Sequence, residues 1–222
     1  MQKLLKFQHQ KMQAGLYKRF GGVPVSGDTL CSSMAEYKAP RARLALLQRR
    51  GELIPLRRNL FVCTDGEHAY SRFLIANHLL LSYVSFESAL AQAGLIPERV
   101  YTVTSACLAR SRSFSNATGE YRFVQMPQPY FGIGITMGQT EEGYRYLIAH
   151  PEKALCDVIV AAPRLRLQSP RAAAAYLTDF LRIAPEDWRS LNTDIIAECA
   201  EKAHKKNRDL AMLHTLISHE HI

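Results

Sequence analysis

Residues 40–62 read PRARLALLQRRGELIPLRRNLFV, and their apolar pattern changes period midway. Pro40 suits the first turn of a helix, where its missing N–H leaves no hydrogen bond unmade. The segment then runs without a breaker to Arg50, and Gly51 stops it. Beyond Gly51, two short apolar runs, residues 53–56 and 59–62, are joined by Arg57-Arg58, the signature of a small hairpin.

Upstream, Met12, Leu16 and Phe20 recur at helical spacing, which predicts a helix over residues 8–20 closed by Gly21-Gly22. Ser26 is placed to cap a short helix over residues 27–34, and a polar turn, residues 35–38, follows. Three helices and then a two-stranded hairpin is the order of a winged helix-turn-helix. The fold class expected is α+β: an N-terminal winged helix-turn-helix over residues 1–65, then a mixed α/β C-terminal domain over residues 66–222 that ends in helices.

Charge points the same way. Residues 1–65 hold 12 Lys or Arg against 4 acids, and residues 66–222 hold 16 against 16, so the whole net charge of +8 lies in the first part. A localised cationic excess is the footprint of a surface that meets a polyanion; the plainer reading is a solvated basic face. At 100° per residue, Pro40, Leu44, Leu46 and Leu47 share one arc of the third helix, and Arg41, Ala42, Ala45, Gln48 and Arg49 share the other. The second arc suits a major groove, because alanines allow close approach and Arg and Gln can make paired contacts to base edges. Reading from the N-terminal turns favours Arg41 and Ala45 as base contacts. Arg43 and Arg50 flank that face. Lys18, Arg19 and Lys38 would hold phosphates, and Arg57 and Arg58 would form the tip of the wing.

Downstream, Asp65-Gly66 marks the boundary. Helices are expected over residues 68–81 and 86–93, the latter capped by Ser85 and closed by Gly94. Strands follow over residues 100–104, 111–116, 120–125, 131–137 and 144–148. Residues 151–161, 170–182 and 194–218, the last broken near Lys206-Asn207, complete a helical C-terminus.

Other motifs carry little chemistry. His214, His219 and His221 with Glu220 read as a solvated tail rather than a metal site. Gly132-Ile133-Gly134 lacks the third glycine of a dinucleotide fingerprint and reads as strand packing. Lys153 and Asp157, four apart on one helix, read as a surface ion pair; the alternative is a structural lock, with Pro151 at the first turn, Glu152 near the positive end of the helix dipole and Ala154, Leu155 and Val158 packed inward. Five unpaired, scattered cysteines read as reduced thiols of a cytoplasmic protein. The run at residues 73–86 is too short and too polar to cross a membrane, and no secretory h-region opens the chain. No cofactor, metal or catalytic residue is expected.

Residues 44–62, together with YVSFESALAQAG at 83–94, Val103-Thr104 and AHPEKALCD at 149–157, resemble the blocks of the AbiEi-type antitoxins of abortive-infection, type IV toxin–antitoxin systems. The resemblance implies a DNA-binding transcriptional repressor that autoregulates its operon by binding inverted repeats in its promoter, with a nucleotidyltransferase-like toxin encoded nearby. It assigns the DNA face to Arg41, Arg43, Gln48, Arg49, Arg57 and Arg58. Asn59 stands where the family usually has glycine, and asparagine tolerates the same positive φ. Palindromic sites suit two protomers on the DNA. The competing readings are a protein-interaction module that binds a toxin or other partner through the C-terminal domain, with the winged helix as adaptor, and an enzyme acting on nucleic acid, for which no carboxylate cluster or activated nucleophile is found.

Overall fold

In the computed structural model, which describes residues 16–66 and 70–220, residues 16–20 are helical. Gly21, at φ +59°, ends that helix by donating its N–H to Tyr17 O. The expected stretch at residues 8–15 lies outside the described residues, as does the start of the helix expected at 68. Ser26 Oγ accepts from Thr29 N at 3.0 Å and caps α1, Gly27–Ser33. α2, Pro40–Arg49, ends at Gly51, whose φ is +74°.

The hairpin pairs β2, Leu53–Arg57, with β3, Leu60–Cys63, and a two-residue strand β1, Val25–Ser26, adds to β3 in a sheet of order β1-β3-β2. β1 was not expected, because two residues carry no period. The strand period of two then divides the hairpin between two cores. Leu53 lies opposite Cys63, and both join Leu30, Met34, Leu44 and Leu47 in a small cluster under the helices. Ile54 lies opposite Val62, and with Leu56 they pack into the large cluster formed by the rest of the chain. Asn116 Nδ2 donates to Leu56 O at 3.0 Å, fastening the hairpin's other side to the large sheet.

That sheet has six strands in the order β6-β7-β5-β4-β9-β8. They are β4 Ser82–Val84, β5 Val103–Cys107, β6 Arg112–Asn116, β7 Gly119–Gln125, β8 Ile135–Gln139 and β9 Arg145–Ala149. β7 pairs parallel with β5, and β4 with β9; the remaining pairs are antiparallel. α3, Arg72–Leu79, lies on the face that carries Tyr121, and α6, Pro151–Ala161, on the face that carries Tyr83. The class is α+β, as expected.

Several bounds moved, each for a local reason. α3 starts at Arg72 because Ser71 Oγ caps it, accepting from Leu74 N at 3.3 Å, and it stops at Leu79 so that Ser82–Val84 can enter the sheet. α4, Phe86–Gln92, occupies its expected place and Gly94 follows at φ +75°, but Ser85 makes no cap with its side chain. The strand expected from 100 begins at Val103, where pairing with β7 begins. Residues 128–131 form a helical turn, α5, Gln128–Phe131, with proline in its first turn; the strand expected from 131 therefore begins only at Ile135. α7, Pro170–Ala175, continues as a π-helical turn, Tyr176–Phe180, and not as α-helix to Arg182. The short α8, Pro185–Arg189, was not expected. α9, Thr193–Lys202, and α10, Asn207–Glu220, flank a 3₁₀ turn at His204–Lys206, where the break was expected.

Candidate nucleic-acid interface

The basic residues singled out in the first 65 positions are exposed or half-buried without exception. On α2, Arg41, Ala45 and Arg49 are exposed at i, i+4 and i+8, so they form one stripe along the helix, with exposed Ala42 and half-buried Gln48 beside it. Leu44 and Leu47, on the opposite arc, are buried in the small core. The division of the helix into an apolar and a cationic arc is therefore the one that its residue spacing implies.

Arg43 is half-buried and its guanidinium lies 5.4 Å over the Tyr37 ring. Arg50 reaches toward buried Glu52, 3.9 Å from its carboxylate. Arg19 stacks over Phe20 and extends to Ser33 O at the end of α1, so it and exposed Lys38 flank the turn between α1 and α2. Lys18 is exposed on the preceding helix.

Arg57 and Arg58 are exposed at the hairpin turn. The turn is tied down by Asn59, whose φ is +59°. Asn59 Nδ2 donates to Asp28 Oδ2 at 2.9 Å, and Gly27 N donates to Asn59 O at 3.1 Å. A Cβ on Gly27 would collide with the Asn59 carboxamide. Thus the start of α1 and the turn bearing the two arginines hold one another. Asp28 was not singled out in the sequence; its pairing to Asn59 links positions 31 apart, which no local pattern signals.

A second polar cluster lies in the interior. Lys153 and Asp157, expected on the surface, are both fully buried and paired at 2.9 Å. The ammonium donates to Tyr130 O at 3.2 Å and sits 3.1 Å from the centre of the Tyr130 ring. Asp157 Oδ2 accepts from Ser85 Oγ at 2.6 Å and Tyr83 Oη at 3.0 Å. Ser85 thus spends its hydroxyl on Asp157 instead of capping α4. Burial, and then Asp157, push the Tyr83 hydroxyl far above its usual range, so it remains a donor. Glu152 Oε1 accepts from Asn192 N at 2.9 Å, tying α6 to the segment before α9. Such a cluster, enclosed in the core, positions α4, α5 and α6.

Gly134, at φ +56°, passes so close to α6 that a Cβ there would lie 2.9 Å from Lys153 Cβ. The Gly132-Ile133-Gly134 stretch is therefore a turn between α5 and β8 and not the strand expected there, packed against α6 at Gly134. Among the described residues no group of three or more His, Cys, Asp or Glu could hold a metal ion, and no helix is long and apolar enough to cross a membrane. His221 lies outside the described residues. No protein-family model matches the chain, and no curated protein matches it.

Proposed function

We propose that the protein is a DNA-binding transcriptional repressor of the winged helix-turn-helix kind, with α2 as recognition helix and the Arg57-Arg58 turn as wing. The observation that carries this reading is the exposed Arg41–Ala45–Arg49 stripe on the helix whose opposite arc is buried. A cationic stripe with small side chains matches a groove lined by phosphates and base edges. The Asn59–Asp28 tie supports it further, because a wing contributes to register only if its position relative to the helices is fixed.

The resemblance of residues 44–62, 83–94 and 149–157 to AbiEi-type antitoxins extends the proposal: a cytoplasmic antitoxin that binds inverted repeats of its own promoter as two protomers, beside a nucleotidyltransferase-like toxin. Here residues 66–222 serve as the antitoxin domain. The buried Lys153–Asp157 cluster is its scaffold, not a catalytic centre.

The test is a titration of the full chain against the DNA upstream of its own reading frame and against a scrambled duplex, at several salt concentrations. Preference for the native duplex, with a log–log salt slope of roughly −5 for about six phosphate contacts, is expected. Equal affinity for both duplexes contradicts the proposal.

A further inference from the structure

A groove of about 510 Å³ opens on the α6 face of the large sheet. Thr104 and Arg122 line its floor, Glu87 its rim at the start of α4, Arg164 the loop after α6, and Tyr176 with Phe180 its outer wall. Sites for small molecules fall in the range of about 300–1,000 Å³.

The lining is specific in its chemistry. Phe180 is 72% exposed, yet its ring is held parallel to that of Tyr176, with centroids 5.1 Å apart and planes at 15°. An exposed ring fixed by a stacked neighbour offers a flat face on which a planar heterocycle stacks, and it does so without sequence or hydrogen-bond readout. Arg122 and Arg164 are both exposed, and neither guanidinium makes a hydrogen bond or ion pair with a described residue. Guanidinium forks left unused beside an aromatic face suit phosphate oxygens. Glu87 adds an acceptor, and burial, then Glu87, push the neighbouring Tyr176 hydroxyl up to about 12, so it stays a donor at neutral pH.

The wall is also irregular where regular structure would be easier. Tyr176 and Phe180 bound a π-helical turn, a form that occurs mostly as single turns and frequently at functional sites. Phe86, which also lines the groove, has φ +55°, a conformation that bulky side chains rarely adopt. Ser85, the residue before it, is bound through Oγ to Asp157, and Val158, next to Asp157, forms part of the same lining. The buried Lys153–Asp157 cluster thus adjoins the groove through Phe86 and Val158 without lining it.

We propose that this groove binds a free nucleotide, its base stacked on Phe180 and its phosphate held by Arg122 and Arg164. The site lies apart from α2 and the hairpin, and its test needs no DNA, so it stands or falls independently of the repressor reading.

The test is calorimetric titration of the full chain with AMP, GMP, ATP and GTP, beside adenosine, guanosine and inorganic phosphate. At least one nucleotide should bind saturably, with its nucleoside and phosphate alone at least tenfold weaker. Phe180→Ala and Arg164→Gln should each weaken that nucleotide at least tenfold with melting temperature unchanged, since both side chains are exposed. Absence of saturable binding by all four nucleotides, or native affinity in both variants, overturns the proposal. Tighter binding of a 5′-phosphorylated trinucleotide than of any mononucleotide overturns the assignment to a free nucleotide.

Discussion

Asn59 Nδ2 is bonded to Asp28 Oδ2 at 2.9 Å, which joins the tip of the hairpin to the first turn of α1 across 31 positions of sequence. Asn59 answers two demands at once. Its backbone holds φ +59°, which asparagine tolerates better than other residues with a Cβ, and its side chain supplies the donor that glycine lacks. Asn59→Ala therefore removes the bond and strains the turn, and should lower stability by about 1–2 kcal/mol in urea denaturation. Asn59→Gly relieves the strain and should lose less than about 1 kcal/mol. Equal loss in the two variants would show that the positive φ is not the source of the effect.

Lys153 and Asp157 make the opposite case, a pair whose members cannot be removed singly. Lys153→Met leaves the Asp157 carboxylate buried with only the Ser85 and Tyr83 hydroxyls for partners. Breaking a fully buried pair costs about 3–5 kcal/mol, and a chain of this size loses about 2–4 °C per kcal/mol. A fall in melting temperature of roughly 10 °C is expected by scanning calorimetry. A change under about 2 °C would show that the pair is not buried in solution.

How far this was legible in sequence depends on whether the signal was local. Ser26, Gly51, Gly94 and Pro151 each act on neighbours within a turn, and the elements they bound lie where read. Lys153 and Asp157 show the limit. An i, i+4 charge pair looks the same on a wet face and in a core, and the partners that distinguish the two, Tyr83 and Ser85, lie 74 and 72 positions from Asp157. Ser82–Val84 was missed for a related reason: three buried residues after an apolar helix change no period. In the candidate interface, the α2 stripe followed from residue spacing, whereas Asp28 did not. The groove residues Arg122 and Arg164 also escaped notice, because the sheet and the loop after α6 bring them together; only the Tyr176 and Phe180 spacing of four gave a local hint.

The cysteines separate by exposure. Cys31 is half-buried, while Cys63, Cys107, Cys156 and Cys199 are buried. Burial raises the Cys63 thiol to about 12 and pushes Cys107 and Cys156 up as well, so little thiolate forms at these sites near neutrality. Among these five, a maleimide at pH 7.5 should label Cys31 first, and the other four only after urea unfolding. Rapid native labelling of Cys63 would contradict the packing of the small core. Because the folded Cys63 pKa lies above its unfolded value of 9.0, its stabilising contribution is complete below pH 9 and is lost as pH rises toward about 12. Cys63→Val should make the alkaline fall in stability shallower.

Gly134 tests the approach of the 132–134 turn to α6. A Cβ there would meet Lys153 Cβ and Ile195 Cγ2 at 2.9 Å in a backbone at φ +56°. Gly134→Ala should destabilise by about 2–4 kcal/mol, from strain and overpacking together. Unchanged urea midpoints would show that the turn moves freely from the helix.

The exposed stripe of α2 is proposed to read DNA. Its most direct measurement is the affinity of the native chain and of Arg41→Ala for the upstream duplex and its scrambled counterpart at one fixed salt concentration. Arg41 is exposed, so its loss should leave folding intact. Arg41→Ala should lose about 1–3 kcal/mol of binding to the upstream duplex and little to the scrambled one, so that discrimination collapses. Native discrimination in Arg41→Ala, or a native chain that binds the two duplexes equally, would contradict it.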